Sequence, residues 1–219
     1  MKDANNCNNY LKVTVNNSGG PVFGLTNSTN VSCFGGNDGS ISLSSLGGTG
    51  TIQYSIDGGV TYQVSGIFSN VIAGSYTAMV KDAAGCTDVK IINVTQPEHI
   101  VISASAMDLT CFGSDNGQID ITTISGGTGS ITYSLDGFSF QSSTNFSGLS
   151  ANTYSVYARD VAECLSNILI TVGQPTALSA TVTVTNASCN DYQDGSIIVT
   201  GTGGTPSYNY GIGSGDMLY

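Results

Sequence analysis

Gly39-Ser40-Ile41-Ser42-Leu43-Ser44 returns as Gly117-Gln118-Ile119-Asp120-Ile121-Thr122, and a third time as Gly195-Ser196-Ile197-Ile198-Val199-Thr200. Ile41 and Leu43, Ile119 and Ile121, and Ile197 and Val199 recur with period two, the pattern of a strand with one buried face. The steps are 78 residues each, and Cys33, Cys111 and Cys189 stand six residues before the three glycines. A period longer than a solenoid turn means tandem domains. Repetition of this kind signals a spacer or a multivalent surface, because an enzyme rarely needs copies of itself in a row.

The copies align well beyond this stretch. Cys33-Phe34-Gly35 matches Cys111-Phe112-Gly113, and Gly47-Gly48-Thr49-Gly50 matches Gly126-Gly127-Thr128-Gly129. Tyr54-Ser55-Ile56-Asp57-Gly58 matches Tyr133-Ser134-Leu135-Asp136-Gly137, and Cys86 and Gln96-Pro97 match Cys164 and Gln174-Pro175. The third copy reaches Gly203-Gly204-Thr205 and Tyr208-Asn209-Tyr210, while Lys2 to Cys7 reads like Lys81 to Cys86. The expected organisation is therefore a remnant of a preceding repeat at 1–20, complete repeats at 21–97 and 98–175, and the first half of another at 176–219. Such a chain reads as a segment of a longer array.

Further alternations follow in each copy. Ile52, Tyr54 and Ile56 form one, and Tyr76, Ala78 and Val80 another, repeated as Tyr154, Val156 and Ala158. About six or seven short strands per copy, with glycine-rich turns and no helical stripe, predict an antiparallel β-sandwich. Val71 precedes Tyr76, and Leu149 precedes Tyr154, by five residues through a tight turn. This resembles a tyrosine corner and sharpens the expectation to an all-β chain of tandem immunoglobulin-like domains of about 78 residues.

Composition removes several function classes. Five Lys and Arg stand against fifteen Asp and Glu, a net charge of −10, so nucleic acid and anionic membrane surfaces are repelled. No run approaches the roughly 20 apolar residues of a membrane span, which speaks against direct membrane insertion. No apolar stretch of the signal-peptide kind follows Met1-Lys2-Asp3. The Gly-Gly-Thr-Gly stretches lack the lysine and helix of a phosphate-binding loop and read as turns. The one histidine, His99, lies at a repeat junction with nothing recurring around it, which does not favour a Ser-His-Asp arrangement. The chain is not expected to be an enzyme.

Six cysteines without a Cys-x-x-Cys spacing argue against zinc. The natural pairing is within copies, Cys33 with Cys86 and Cys111 with Cys164, each pair 53 residues apart. Each such bond would contribute roughly 4 kcal/mol on the loop-entropy model. Cys7 and Cys189 are then left over, and buried free thiols are the alternative. A disulfide repeated per domain points to an oxidising space outside the cytoplasm.

Asp38 and Asp115 recur in acidic turns, as do Asp57 with Asp136 and Asp82 with Asp160. Oxygen clusters of this kind suit calcium at domain junctions. The competing reading is that Asp and Asn beside Gly simply make turns. No other cofactor is expected. Tyr62, Tyr157 and Tyr192 offer aromatic faces on which a sugar ring stacks, although they do not recur from copy to copy.

The ordered string from Cys33 to Gly39, then Gly47 to Thr49, Tyr54 to Gly58, Gly74-Ser75-Tyr76, Asp82 to Cys86 and Gln96-Pro97 resembles the SprB repeat of Bacteroidetes surface proteins. The second copy departs at Asn152, in place of the glycine before the corner tyrosine, and at Glu163, in place of the glycine before Cys164. Asn tolerates the left-handed backbone and Glu does so less well, so the Glu163 turn is expected to differ. The resemblance implies a very large exported adhesin on the bacterial cell surface, the best-known members being gliding-motility filaments sent out by type IX secretion. The leading expectation is an extracellular structural and adhesive stalk whose partners are its own neighbouring repeats and surface glycans or other cell-surface proteins. A carbohydrate-binding module of a secreted protein and a self-assembling extracellular filament subunit are the alternatives.

Overall fold

The computed structural model describes residues 1–14, 19–190 and 192–211. Residues 15–18 and 212–219, which belong to the expected remnant and half repeat, lie outside the described residues. Every regular element among the described residues is a β-strand. The chain divides into two compact units, Met1–Pro97 and Glu98–Tyr219.

The first unit carries β1 (Val22–Thr29), β2 (Gly39–Leu46), β3 (Gln53–Ser55), β4 (Ile67–Val71), β5 (Gly74–Lys81) and β6 (Thr87–Val94). These form two antiparallel three-stranded sheets in the orders β1-β2-β4 and β3-β5-β6. Alternating side chains from the two sheets meet in one core of Val31, Ile41, Leu43, Val71, Ala78, Ile92 and Val94. Tyr54 packs against that core and shares a 3.0 Å hydrogen bond between its hydroxyl and Ser45 Oγ.

The second unit repeats the plan with β7 (Val101–Met107), β8 (Gly117–Ser125), β9 (Thr132–Ser134), β10 (Asn145–Leu149), β11 (Asn152–Arg159) and β12 (Leu165–Val172). Its sheets run β10-β8-β7 and β12-β11-β9 around a core that includes Ile119, Ile121, Tyr133, Val156, Ala158 and Val172. A further hairpin of β13 (Ser179–Thr185) and β14 (Ser196–Thr202) pairs Val184 with Ile197 and Val182 with Val199. The period-two residues Ile41, Leu43, Ile119 and Ile121 all point into cores. Their third-copy counterpart Ile197 remains exposed, because no second sheet covers it among the described residues.

Two recurring features have direct physical causes. A Cβ on Gly39 would stand 2.6 Å from the Val71 carbonyl oxygen, and one on Gly117 would stand 2.8 Å from that of Leu149. Glycine opens this strand because β4 and β10 approach too closely for a side chain. The tyrosine corner is also real: the Tyr76 hydroxyl donates to the Ile72 carbonyl at 2.9 Å, and the Tyr154 hydroxyl to that of Ser150 at 3.0 Å. Such a bond ties the turn before the strand to the strand itself.

The turn expected to differ at Glu163 does not. Glu163 takes φ 67° where Gly85 takes φ 85°, and the carboxylate of Asp160 accepts the Ala162 and Cys164 N–H groups as that of Asp82 accepts those of Ala84 and Cys86. The surrounding bonds hold a non-glycine residue in the left-handed region. Gly74 and Asn152, by contrast, have no positive φ, so that exchange required no special tolerance. Replacing Glu163 by glycine is expected to stabilise the second unit by roughly 0.5–1 kcal/mol, since relief of the left-handed strain exceeds the added chain entropy. Calorimetry checks this, and an unchanged or lower melting temperature for that unit would refute the strain.

Each sandwich has two poles, and the cysteines occupy opposite ones. Cys33 lies at the pole where the chain leaves: Val31 N–H donates to the Thr95 carbonyl, and Gly35 N–H donates to Gln96 Oε1 at 2.8 Å. Cys86 lies where the chain enters, its Cβ 3.0 Å from where a side chain on Gly20 would begin. The eight residues of β6 run between them, about 27 Å of strand. A disulfide needs Cα atoms within about 7 Å. The pairings Cys33–Cys86 and Cys111–Cys164 expected from the spacing are therefore corrected: Cys86 and Cys111 carry free, exposed thiols. Cys7 and Cys189 are free and exposed, as are Cys86 and Cys111, so the four are not buried thiols either.

Candidate functional site

The residues singled out for chemistry are distributed along the sandwiches rather than gathered into a cleft. Among the described residues, no three His, Cys, Asp or Glu side chains converge as a metal site. Asp38, Asp57, Asp82, Asp136 and Asp160 accept hydrogen bonds within or between turns. Asp82 is buried and accepts backbone N–H bonds from Thr49, Ala84 and Cys86 at 2.8–3.0 Å. Asp160 is buried in the same way and accepts from Thr128, Ala162 and Cys164. This aspartate ties the β5–β6 turn to the Gly-Gly-Thr turn, which explains why the two motifs recur together.

Asp57 and Asp136 organise the turn after β3 and β9. Ser55 Oγ donates to Asp57 at 2.6 Å while accepting the Gly59 N–H, and Thr61 donates to Asp57 through both its N–H and its hydroxyl. In the second unit Ser134 donates to Asp136 at 2.6 Å, and the Phe138 and Ser139 N–H groups complete the set. Ser55 and Ser134 are fully buried. Sequence reading passed over them because a serine in a strand carries no distinctive signal of its own; only its recurrence two residues before an aspartate marked it.

Asp38 accepts the Ser32 N–H at 3.0 Å, and Asp194 accepts that of Ser188 at 2.9 Å. In the second copy this place belongs to Asn116, which accepts the Thr110 N–H at 3.2 Å, and not to Asp115. A neutral amide thus does the same work, so the position serves as a hydrogen-bond acceptor and not as a charge.

Hydrogen bonding holds several of these carboxyls below the ordinary carboxylate pKa. Asp57 is lowered chiefly by Ser55, Asp136 by Ser134, Asp38 by Ser32, Asp194 by Ser188, Asp82 by the Thr49 N–H and Asp120 by Asn145. Their native pKa lies under the unfolded value of about 3.9, so the unfolded chain binds more protons between the two. Their stabilisation is complete above the unfolded pKa and is lost as pH falls toward the native one. The melting temperature is expected to stay level from pH 7 to about 5 and to drop below about pH 4. A melting temperature that rises on acidification would contradict this.

One of the aromatic positions recurs, Tyr62 as Phe140, while Tyr157 and Tyr192 do not. Lys81 Nζ lies 3.9 Å from the centre of the Tyr62 ring, and Arg159 Cζ lies 4.0 Å from that of Phe140, one repeat further on. Each pair is a cation–π contact, worth about 0.5–1 kcal/mol when exposed. The cation covers one ring face of Tyr62 that sugar stacking would use. Tyr157 is half-buried against Gly137, and Tyr192 is exposed. The carbonyl of His99 occupies the space where a Gly126 side chain would go. No helix among the described residues is long and apolar enough to cross a membrane.

No curated protein matches the sequence. Among solved structures the chain is similar to the extracellular domains 3–5 of Drosophila OTK, with 12% identity and a TM-score of 0.30, a likeness too low to carry an argument. That alignment covers 67% of this chain and 59% of the OTK chain, so it spans about three fifths of the latter's length. The SprB repeat family matches at residues 25–61, 103–140 and 181–217, one stretch in each copy of the beat. Each matched stretch takes in the cysteine, the strand-opening glycine and the Gly-Gly-Thr turn, so the chain belongs to the SprB repeat family.

Proposed function

We propose that the chain is part of an extracellular stalk on a bacterial cell surface, with structural and adhesive roles. The observation that carries this is the threefold family match on a constant beat, with each complete copy closing its own core. Independent cores in series supply reach, and repeated weak contacts raise avidity without a strong single site. Acidic turns consumed in their own hydrogen bonds support a structural reading over an enzymatic one. Gliding motility and type IX export enter as what membership of this family implies.

Stepwise deletion of repeats from the intact surface protein tests the proposal. Adhesion of cells is expected to fall progressively with repeat number while expression is held constant. Adhesion that is unchanged after removal of most repeats would remove the adhesive role, and protection of the repeats from added protease on intact cells would remove the surface location. The carbohydrate-module reading has less behind it, since Tyr62 is covered by Lys81 and Tyr157 is half-buried.

A further inference from the structure

We propose that Asn116 is a self-modifying position: its carboxamide hydrolyses to a carboxylate by way of a cyclic imide formed with the Gly117 nitrogen, and the fold accepts the product. Asn116-Gly117 is the one Asn-Gly pair in the 219 residues. A glycine nitrogen has no side chain beside it to hinder attack on the preceding carboxamide. Packing demands glycine here, because a Cβ would strike the Leu149 carbonyl and Val172. The second repeat alone sets asparagine before that glycine; Asp38 and Asp194 precede the corresponding Gly39 and Gly195. Asn116 and Thr110 are exposed, so water reaches the carboxamide.

The carboxamide is held in a way that suits its hydrolysis. Ser114 Oγ and the Thr110 N–H both donate to Asn116 Oδ1, at 2.8 and 3.2 Å. Negative charge gathers on that oxygen as a nitrogen adds to Cγ, and donors already in place stabilise it. Asn116 Nδ2 donates to Thr110 Oγ1 at 2.7 Å, which sets a hydroxyl beside the departing nitrogen. In the first step a bond forms between Gly117 N and Asn116 Cγ, the Cγ–Nδ2 bond breaks, and ammonia leaves with the Gly117 proton. Water then adds to Cγ and breaks the new Cγ–N bond, returning a proton to Gly117 N and leaving a carboxylic acid that ionises. The net change consumes water and releases ammonium. Opening at the main-chain carbonyl instead would insert an extra carbon into the chain beside Gly117, where the Leu149 carbonyl leaves no room for one. The product fits the place it would occupy. Asp194 accepts the Ser188 N–H at 2.9 Å and the Ser188 hydroxyl at 2.6 Å, and Asp38 accepts the Ser32 N–H at 3.0 Å. Each acid stands six residues beyond its donor, as Asn116 stands beyond Thr110.

In the test the 219-residue chain is kept at mildly alkaline pH, once folded and once in guanidinium chloride. It is then digested and mapped by mass spectrometry, with fragmentation that separates aspartate from isoaspartate. In the folded chain conversion is expected at Asn116 before any other asparagine, with aspartate as the main product. In the denatured chain isoaspartate is expected to lead. Ser114→Ala is expected to slow the folded conversion by roughly tenfold and to leave the denatured rate as it was. Asn116→Asp supplies the product without the chemistry, and the melting temperature of the second unit is expected to hold at neutral pH. An intact carboxamide in the folded chain after the denatured chain has converted, isoaspartate as the main folded product, an unaltered folded rate in Ser114→Ala, or a lowered melting temperature in Asn116→Asp would each overturn the proposal. These outcomes bear on the chemistry of the second repeat and leave the surface reading to its own experiment.

Discussion

Ile119→Ala lowers the melting temperature of the second unit by roughly 10–30 °C and leaves that of the first in place. Ile119 is fully buried in a core with Ile121, Val156, Ala158 and Val172 around it. Removing its outer carbons forfeits their transfer free energy and leaves a cavity, together about 2–5 kcal/mol. A domain of this size moves by about 4–8 °C for each kcal/mol. Differential scanning calorimetry on the variant separates the two transitions, since the first unit has its own core built on Ile41. A single transition displaced as a whole would show instead that the cores melt together. Ile41→Ala is the mirror experiment, with the first unit losing stability.

Gly117→Val has an effect of comparable size by the opposite route. A Cβ at this position would stand 2.5 Å from Val172 Cγ1, 2.8 Å from the Leu149 carbonyl oxygen and 3.0 Å from Leu109 Cδ1. The carbonyl belongs to a paired strand and cannot swing aside as a side-chain end does. Overpacking of a tight core costs about 1–3 kcal/mol even where side chains can give, and here main chain must move as well. Loss of at least 3 kcal/mol is expected, measured by urea unfolding, with the smaller Gly117→Ala in between. Wild-type stability in Gly117→Val would mean that the β8–β10 approach is looser than these distances state.

Much of the fold was legible because alternation and burial are local consequences of a strand's geometry. Ile41, Leu43, Ala78 and Val80 were readable as inward residues from spacing alone, and their burial follows. The corner tyrosines were readable because a hydroxyl four residues beyond a carbonyl can close only a tight turn. The cysteines were misread because a separation of 53 residues says how far apart two positions are along the chain, not which end of a strand each occupies. Asp115 was misaligned because two adjacent polar residues before a glycine look interchangeable until one of them, Asn116, is seen accepting the bond. The cation–π pairs were hidden by substitution: Tyr62 became Phe140 and Lys81 became Arg159, which keep ring and charge but break identity. Gln96 and Gln174 had been seen only as companions of a proline, although each accepts a glycine N–H and clamps the loop after its cysteine.

That the chain enters a sandwich at one pole and leaves at the other governs how it bears tension. A pull along the polypeptide drags β1 and β6 in opposite directions along their own lengths. β1 then slides against β2, and β6 against β5, so the hydrogen bonds of both ladders are strained in parallel and not opened one after another. The eight paired positions between β5 and β6 resist together, like a lap joint loaded in shear. A domain wired this way is suited to carrying mechanical load from one end of its fold to the other.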